Sequence, residues 1–191
     1  MRDAIMNISE LEEKYGKPLE ISMHHELHTF EFNVVKFSMR NGREHDVTMF
    51  IRKKDEPQKI AVIRKHFFPK GAYRAPSGAA RPSENLEEGI IRETLEETGL
   101  VIDIKRYLLR IKALFTCQGK KIDWTTHVFE AVEKEGELLP RDTDEIEEAR
   151  WASLDEVQGA IREKLLDTKW ELFKYRVALT DLAVEQMEES Q

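Results

Sequence analysis

Glu96 and Glu97 follow Glu93 by three and four positions in a segment of helix-forming composition. Side chains at these spacings project side by side from a helix, so the three carboxylates should converge. Like charges so placed destabilise a helix, and acidic side chains near its C-terminal end oppose the helix dipole. A divalent cation would reverse both penalties. The segment therefore favours a site for a hard cation such as Mg²⁺ or Mn²⁺ over a solvated acidic surface.

The same segment carries the signals that begin and end a helix. Ser83 or Asn85 can cap its N-terminal end, and Gly99 can adopt the left-handed conformation that often follows a helix. We therefore predict one helix over 85–98, with a core-facing arc of Ile90, Ile91, Thr94, Leu95 and Thr98.

The surrounding residues extend this pattern from Gly78 to Leu100. Counting back from Arg92, Glu84 comes after seven intervening residues and Gly78 after five more. The string fits G-x5-E-x7-R-E-U-x-E-E-x-G-U, where U is a bulky aliphatic residue, except that Thr94 stands at the first U. Even in a glutamate-rich chain, its fixed letters would arise by chance in about one sequence in a hundred thousand. This string is the Nudix box, and the sequence resembles the Nudix hydrolase family.

The resemblance implies both a fold and a reaction. Family members are α+β proteins with a Nudix-type α/β/α sandwich, in which a mixed sheet lies between helices and the box forms a loop–helix–loop catalytic motif. They hydrolyse a nucleoside diphosphate linked to another moiety, with Mg²⁺ as cofactor and Mn²⁺ as a substitute. Thr94 stands where the family prefers an aliphatic residue. Because Thr94 lies on the core-facing arc, this difference concerns packing rather than metal binding.

The resemblance also implies roles for individual residues. Carboxylates and one main-chain carbonyl are expected to hold the metal, and Glu93 either joins them or acts as the general base. Arg92 is expected to orient Glu93 by an ion pair, and Glu84 to support the arrangement. The predicted metal ligands are Gly78, Glu93, Glu96 and Glu97, and the predicted catalytic residues are Glu93, Arg92 and Glu84.

A basic segment that contains no acidic residue precedes the helix. It runs from Lys59 to Ser83. Cations placed directly before a metal-binding turn suit contact with substrate phosphates, and arginine can bind a phosphate through two parallel hydrogen bonds. We therefore predict that Arg64, Arg74 and Arg81 bind the substrate.

Composition limits the partners of this 191-residue chain. Its net charge of -7 disfavours a nucleic-acid polymer, because that affinity comes from Lys and Arg neutralising phosphates. No apolar run approaches membrane-spanning length, and the charged N-terminal residues lack the apolar core of a signal peptide. Cys117 is the only cysteine, which excludes an intrachain disulfide and fits a reducing compartment. We expect a cytoplasmic protein that acts on a small nucleotide and contacts no membrane.

The stretch VIRKHFFPKGAYRAPSGAA resembles the sequence before the box in ADP-ribose and ADP-sugar pyrophosphatases. That branch implies a homodimer in which an N-terminal arm, here residues 1–43, exchanges between subunits. The branch usually has a proline soon after the box, whereas the next proline here is Pro140. Two alternatives therefore stay open: a (d)NTP pyrophosphohydrolase, and a non-catalytic module that senses a nucleotide.

The remaining pattern predicts three regions. An N-terminal helix and strand arm occupies 1–43, a Nudix core 44–166, and a C-terminal helix 167–191. Capping boxes beginning at Ser153 and Thr168 should start the last two helices.

Alternating or continuous apolar residues predict the strands. The first of them should end at a hairpin turn, Asn41-Gly42. The predicted strands cover 28–39, 47–51, 59–67, 101–117 and 122–132.

Several residues outside the box are weaker candidates. Trp124 and Phe129 could stack on a base, although strand aromatics more often belong to the core. His24, His25 and His28 lack the context of a zinc site. An extra catalytic acid could come from Glu130, Asp142, Asp144, Glu145, Glu147 or Glu148, although a solvated loop is the commoner role for most of these.

Overall fold

The computed structural model describes residues 8–81 and 84–189. Within these residues, a mixed sheet of seven strands lies between two layers of helices. The elements in chain order are α1 Ile8–Tyr15, β1 Leu19–Glu26, α2 Thr29–Ser38, β2 His45–Arg52, β3 Lys59–Lys65, β4 Ser77–Gly78, α3 Leu86–Thr98, β5 Val101–Cys117, β6 Lys120–Glu135, β7 Ile146–Ser153, α4 Leu154–Glu156, α5 Arg162–Asp167 and α6 Glu171–Glu188. A π-helical turn, Val157–Ile161, joins α4 to α5.

The strand order is β1-β5-β6-β2-β3-β7, and the short β4 pairs with β2. The β1–β5 and β2–β6 pairs are parallel, and the other pairs are antiparallel. One core layer packs α1 and α3 on the sheet, and the other packs α2, α5 and α6 on the opposite face. This arrangement confirms the predicted α+β sandwich.

The predicted strand at 28–39 is wrong, because these residues form helix α2. Phe32 and Val35 are buried, whereas Phe30 and Val34 are exposed, which is the spacing of a helix with one face on a core. The apolar residues that predicted a strand therefore follow helical periodicity. The predicted hairpin turn is also wrong, since Arg40–Gly42 form a 3-10 turn that links a helix to β2.

Glu31 joins α2 to α6 through one buried carboxylate. Its two oxygens accept hydrogen bonds from the main-chain N–H groups of Leu172, at 2.7 Å, and His28, at 3.1 Å.

The predicted capping box at Thr168 is wrong, because α6 begins after Trp170 and the Thr168 hydroxyl instead accepts from the Trp170 N–H. Ser153 caps α4 by accepting from the Glu156 N–H, whereas the Glu156 carboxylate pairs with Arg150 and does not complete the predicted capping box.

We expect Glu31→Ala to lower the free energy of unfolding by about 2 kcal/mol, because it leaves two helix-terminal N–H groups without acceptors. Glu31→Gln retains an acceptor oxygen and should lose less. Urea unfolding followed by circular dichroism measures both variants. Equal stability of Glu31→Ala and the natural protein would contradict this role.

The predicted division at residues 43 and 166 stays a prediction. In this chain, β1 pairs along its length with β5, so the described part of the N-terminal region belongs to the central sheet. Residues 1–7 lie outside the described part. Among the described helices, none combines the length and apolar character needed to cross a bilayer.

Candidate active site

Local hydrogen bonds define both ends of α3. The Asn85 side chain accepts from the Glu88 N–H, and the Glu88 carboxylate accepts from the Asn85 N–H, each at 2.9 Å. Gly99 ends the helix with φ 76°, and its N–H donates to the Leu95 carbonyl. Asn85 is therefore the N-cap, while Ser83, the other predicted cap, lies outside the described residues.

The short strand β4 brings main-chain groups against two of the box glutamates. The Glu97 carboxylate accepts from the Ser77 N–H at 2.8 Å, and the Glu93 carboxylate accepts from the Ala79 N–H at 3.2 Å. Gly78 lies between them, where a Cβ atom would stand 2.1 Å from Cδ of Glu93. The box therefore requires glycine because the carboxylate occupies the space of a side chain.

We expect Gly78→Ala to displace the Glu93 side chain and to reduce hydrolysis at least about tenfold. The loss of stability should be below about 1 kcal/mol, because the atoms in conflict belong to a flexible side chain. Steady-state kinetics and thermal unfolding of the same preparation separate the two effects. A variant with normal kinetics would contradict the packing argument.

Arg92 connects the carboxylates of the box. It donates to Glu84 at 2.7 and 2.9 Å, to Glu93 at 3.0 Å and to Glu96 at 2.8 Å. It also donates to the Ala79 carbonyl at 2.8 Å. The hydrogen bonds to Glu84 raise the pKa of Arg92, and the same bonds lower the pKa of Glu84. The guanidinium thus orients three carboxylates at once.

Glu97 is the buried member of the cluster. Burial raises its pKa to about 7, and the nearby charge of Glu93 adds to the rise, although Arg74 and Lys65 oppose it. The Lys65 ammonium is 3.9 Å from the Glu97 carboxylate. A buried carboxylate with a pKa raised this far has too little positive charge nearby to stabilise its ionised form. A bound cation would supply that charge.

Oxygen donors suited to Mg²⁺ or Mn²⁺ are present around β4, namely the Glu93 and Glu97 carboxylates and the Gly78 carbonyl. In the described ranges, however, no three acidic, histidine or cysteine side chains converge on one point. Arg92 binds both Glu93 and Glu96, and Glu96 also pairs with Arg81 at 3.2 Å. The residue types fit the metal, whereas both oxygens of Glu96 are paired here, one with Arg92 and the other with Arg81.

A cavity of about 470 Å³ opens beside Glu93 and Gly78. This volume lies within the range of small-molecule sites. Its wall includes four cationic side chains, Arg43, Lys65, Arg74 and Arg176, together with several aromatic rings.

Of the three predicted substrate-binding arginines, Arg74 lies on the cavity wall. It donates to the Ser77 hydroxyl at 2.6 Å, and burial lowers its pKa to about 10. Arg64 instead pairs with Glu147 and Glu148 away from the cavity, and Arg81 pairs with Glu96. The substrate roles of Arg64 and Arg81 stay predictions without a cavity contact to support them.

Two arginines that line the cavity were not predicted from the sequence. Arg43 donates to the Gly78 carbonyl at 3.3 Å. Arg176 of α6 pairs with Asp46 at 2.8 Å and donates to the Thr48 hydroxyl at 2.8 Å. No local motif marks either residue, since long-range packing alone brings them to the cavity.

The weaker candidates from the sequence differ in whether they line the cavity. Glu145 lines the cavity and pairs with Lys65, whereas Glu130 lies in buried ion pairs with Arg52 and Arg106. Trp124 lines the cavity. Phe129 is fully buried in the core, where it stacks on Tyr107. None of the other four predicted acids lines the cavity, namely Asp142, Asp144, Glu147 and Glu148.

Comparison with known proteins agrees with this geometry. A sequence model of the NUDIX domain matches residues 42–175. An oxidized purine nucleoside triphosphate hydrolase of Danio rerio is 30% identical over 103 residues, which are 53% of this chain and 63% of that protein. A mitochondrial NAD(P)H pyrophosphatase of Mus musculus is 34% identical over 104 residues, 54% of this chain and 28% of that protein.

Solved structures show the same fold at low identity. A crystal structure of UDP-X diphosphatase has a TM-score of 0.52 and 20% identity, and covers 87% of this chain and 74% of its own. A NUDIX hydrolase from Nitrosomonas europaea has a TM-score of 0.52 and 17% identity, covering 78% and 90%. With a family match across most of the sequence and the box geometry in place, the chain belongs to the Nudix family.

Proposed function

We propose that this chain is a metal-dependent pyrophosphohydrolase that cleaves a nucleoside diphosphate linked to another moiety, with ADP-ribose or an ADP-sugar as the substrate. The observation that carries the proposal is the position of Glu93 and Gly78 on the wall of a cavity that also holds Arg43 and Arg74. A carboxylate cluster for a cation beside buried guanidinium groups suits a diphosphate.

We propose that Gly78, Glu93, Glu96 and Glu97 hold Mg²⁺, with Mn²⁺ as an alternative. When bound, the cation neutralises charge that develops on the diphosphate oxygens.

Side chains of the protein bind the substrate and activate the attacking water. Arg74 and Arg43, which line the cavity, bind and orient phosphate oxygens. Arg92 fixes one carboxylate oxygen of Glu93, and the other oxygen either binds the cation or accepts a proton from the attacking water as general base. The water attacks one phosphorus in line with the leaving oxygen, and the bond between that oxygen and the phosphorus breaks.

Two observations bear on the substrate. The sequence preceding the box favours ADP-sugars. The 30% identity to an oxidized purine nucleoside triphosphate hydrolase favours the alternative, a (d)NTP pyrophosphohydrolase. The chain spans less than two thirds of that relative's length, so the relative's activity does not decide the question. A module that only senses a nucleotide would not need a complete metal-binding carboxylate set.

The deciding experiment assays ADP-ribose, other nucleotide sugars, NTPs and dinucleoside polyphosphates with Mg²⁺, with Mn²⁺ and with EDTA. We expect the highest kcat/KM for ADP-ribose or an ADP-sugar, and no turnover in EDTA. A preference for NTPs would replace the ADP-sugar assignment by the alternative. Tight binding of one nucleotide without turnover of any would establish the sensor.

We further propose a cytoplasmic homodimer. The buried free thiol of Cys117 suits a reducing compartment, and the ADP-sugar branch implies a dimer. Analytical ultracentrifugation of the full chain tests the oligomeric state, and a monomer at micromolar concentration would contradict it.

A further inference from the structure

Asp46 is a buried carboxylate on β2 whose two oxygens both accept hydrogen bonds. Its Oδ1 atom accepts from the Trp124 indole N–H at 3.0 Å and from the Thr126 hydroxyl, and both donors belong to β6. Its Oδ2 atom accepts from the Arg176 guanidinium at 2.8 Å. Residues of the sheet therefore fix the direction of this carboxylate, and the carboxylate fixes one edge of the guanidinium.

Arg176 is held at a second point on the same strand. Its other terminal nitrogen donates to the hydroxyl of the buried Thr48 at 2.8 Å. A guanidinium has more N–H groups than these contacts use, and Arg176 lines the cavity with 19% of its side chain exposed. The contacts on β2 therefore set the orientation of Arg176 and leave N–H groups for a ligand.

Arg74 is held near Arg176 by a matching hydroxyl. Thr48 and Ser77 are register partners in the antiparallel β2–β4 pair, so their side chains project from the same face of the sheet. Arg74 donates to the Ser77 hydroxyl at 2.6 Å, as Arg176 donates to that of Thr48. Burial lowers the pKa of Arg74, Glu97 opposes this decrease, and the charge of Arg176 adds to it. The two guanidinium groups are thus close enough to repel each other.

The surroundings of the two arginines favour an anion beside them. Arg74 donates to neutral acceptors, the Ala75 carbonyl and the Ser77 hydroxyl, and forms no ion pair within the described part of the chain. Arg176 pairs with Asp46. One carboxylate pair for two guanidinium groups leaves positive charge uncompensated, and a phosphate can neutralise it through charged hydrogen bonds.

We propose that Arg176 and Arg74 together bind one phosphate group of the substrate. Asp46 and Thr48 are then positioning residues, since they act through the orientation of Arg176. Arg176 lies immediately beyond residues 42–175, so the family domain match does not include it. A guanidinium held at both edges loses less freedom on binding than a free side chain, so loosening it should weaken binding. This inference rests on the proposed function, because it places the substrate diphosphate in this cavity.

Calorimetric titration of ADP and of inorganic pyrophosphate into the full chain in EDTA measures phosphate binding without hydrolysis. We expect Arg176→Gln to weaken both ligands at least about tenfold and by similar factors, because it removes charged hydrogen bonds to a phosphate. A loss of affinity for ADP alone would place Arg176 at the nucleoside and overturn the inference. Unchanged affinity for both ligands, or no binding of pyrophosphate to the natural protein, would overturn it as well.

A double variant separates phosphate binding from a purely structural ion pair. Arg176→Gln leaves the buried Asp46 carboxylate without its cation and should lower the stability of the protein. Combining it with Asp46→Asn removes both charges and should regain most of that stability, while pyrophosphate stays as weakly bound as in Arg176→Gln. Recovery of pyrophosphate affinity in the double variant would show that Arg176 acts only through the fold, which would overturn the inference.

Thr48 tests the positioning role without a change of charge. Thr48→Val keeps the shape of the side chain but removes the hydroxyl that orients Arg176, and it should weaken pyrophosphate about threefold to tenfold. Thr48→Ser retains the hydroxyl and should restore affinity to within about twofold of the natural protein. Arg162→Gln breaks a different ion pair of α6, with Asp181, and should leave pyrophosphate affinity unchanged. Equal affinities of Thr48→Val and Thr48→Ser would overturn the positioning role.

The outcomes separate this inference from the proposed function. Binding of ADP and pyrophosphate as predicted, without hydrolysis of any nucleotide in Mg²⁺, would overturn only the proposed hydrolase. Hydrolysis of an ADP-sugar with the same KM in Arg176→Gln as in the natural protein would overturn only the role of Arg176.

Discussion

Glu97→Gln should stabilise the metal-free protein above pH 7 and reduce hydrolysis at least about 100-fold. Burial raises the pKa of Glu97 to about 7, so the folded protein holds a proton that the unfolded chain releases near pH 4.5. Between these values the folded state binds more protons, and stability falls as the pH rises. Glutamine stays neutral throughout and can still accept the Ser77 N–H.

The expected gain in stability at pH 8 is up to about 3 kcal/mol and should be absent at pH 4. Urea unfolding at both pH values, in EDTA and in Mg²⁺, measures it. Mg²⁺ should stabilise the natural protein at pH 8 and have little effect on the variant, because the variant lacks one ligand charge.

Glu96→Gln is the matched control for this prediction. Glu96 lies beside Glu97 on the same helix, but its side chain is half-exposed and paired with Arg92 and Arg81. We expect it to lose activity without any stabilisation of the metal-free protein at pH 8. If Glu97→Gln proved less stable than the natural protein in EDTA at pH 8, the explanation that burial destabilises the ionised form of Glu97 would be wrong.

Arg92→Ala should lower the free energy of unfolding by about 3 kcal/mol and reduce hydrolysis at least about 100-fold. The substitution leaves the carboxylates of Glu84, Glu93 and Glu96 close together without the guanidinium that now separates them. Arg92→Lys should recover little, because one ammonium group cannot reproduce the forked hydrogen bonds of a guanidinium.

Arg110→Ala is the control for Arg92→Ala. Arg110 is similarly buried and pairs with two glutamates, Glu12 and Glu20, but it contacts none of the carboxylates of the box. Both variants should lose stability, and only Arg92→Ala should lose kcat/KM at a temperature where each remains folded. Equal activity of the two variants would show that Arg92 has no part in orienting the site.

The helix of the box could be predicted well from sequence because its signals are local. Asn85, Gly99 and the spacing of the glutamates each act within one or two helical turns, so the chain itself specifies their relative positions. Helix α2 shows where this reasoning fails. Its apolar residues are compatible with either a bulged strand or a helix, and packing against the sheet and α6 decides between them.

The same distinction applies to the cavity. Arg74 could be proposed from a basic segment, but that segment did not distinguish it from Arg64, which faces a different set of carboxylates. Arg43 and Arg176 carry no local signal. Their place beside Gly78 and Asp46 depends on how β2 and α6 pack.

The sequence by itself determined the family and the order of carboxylates in the box, because these depend on residue type and on spacing along one helix. The tertiary structure alone decided that Glu97 is buried and titrates near neutral pH, whereas Glu96 stays half-exposed. It also decided that aromatic side chains of α2 and α6, such as Phe30 and Phe173, line the cavity beside the site. Burial and long-range contact depend on the packing of distant elements, and that packing sets the local dielectric and the shape that a substrate meets.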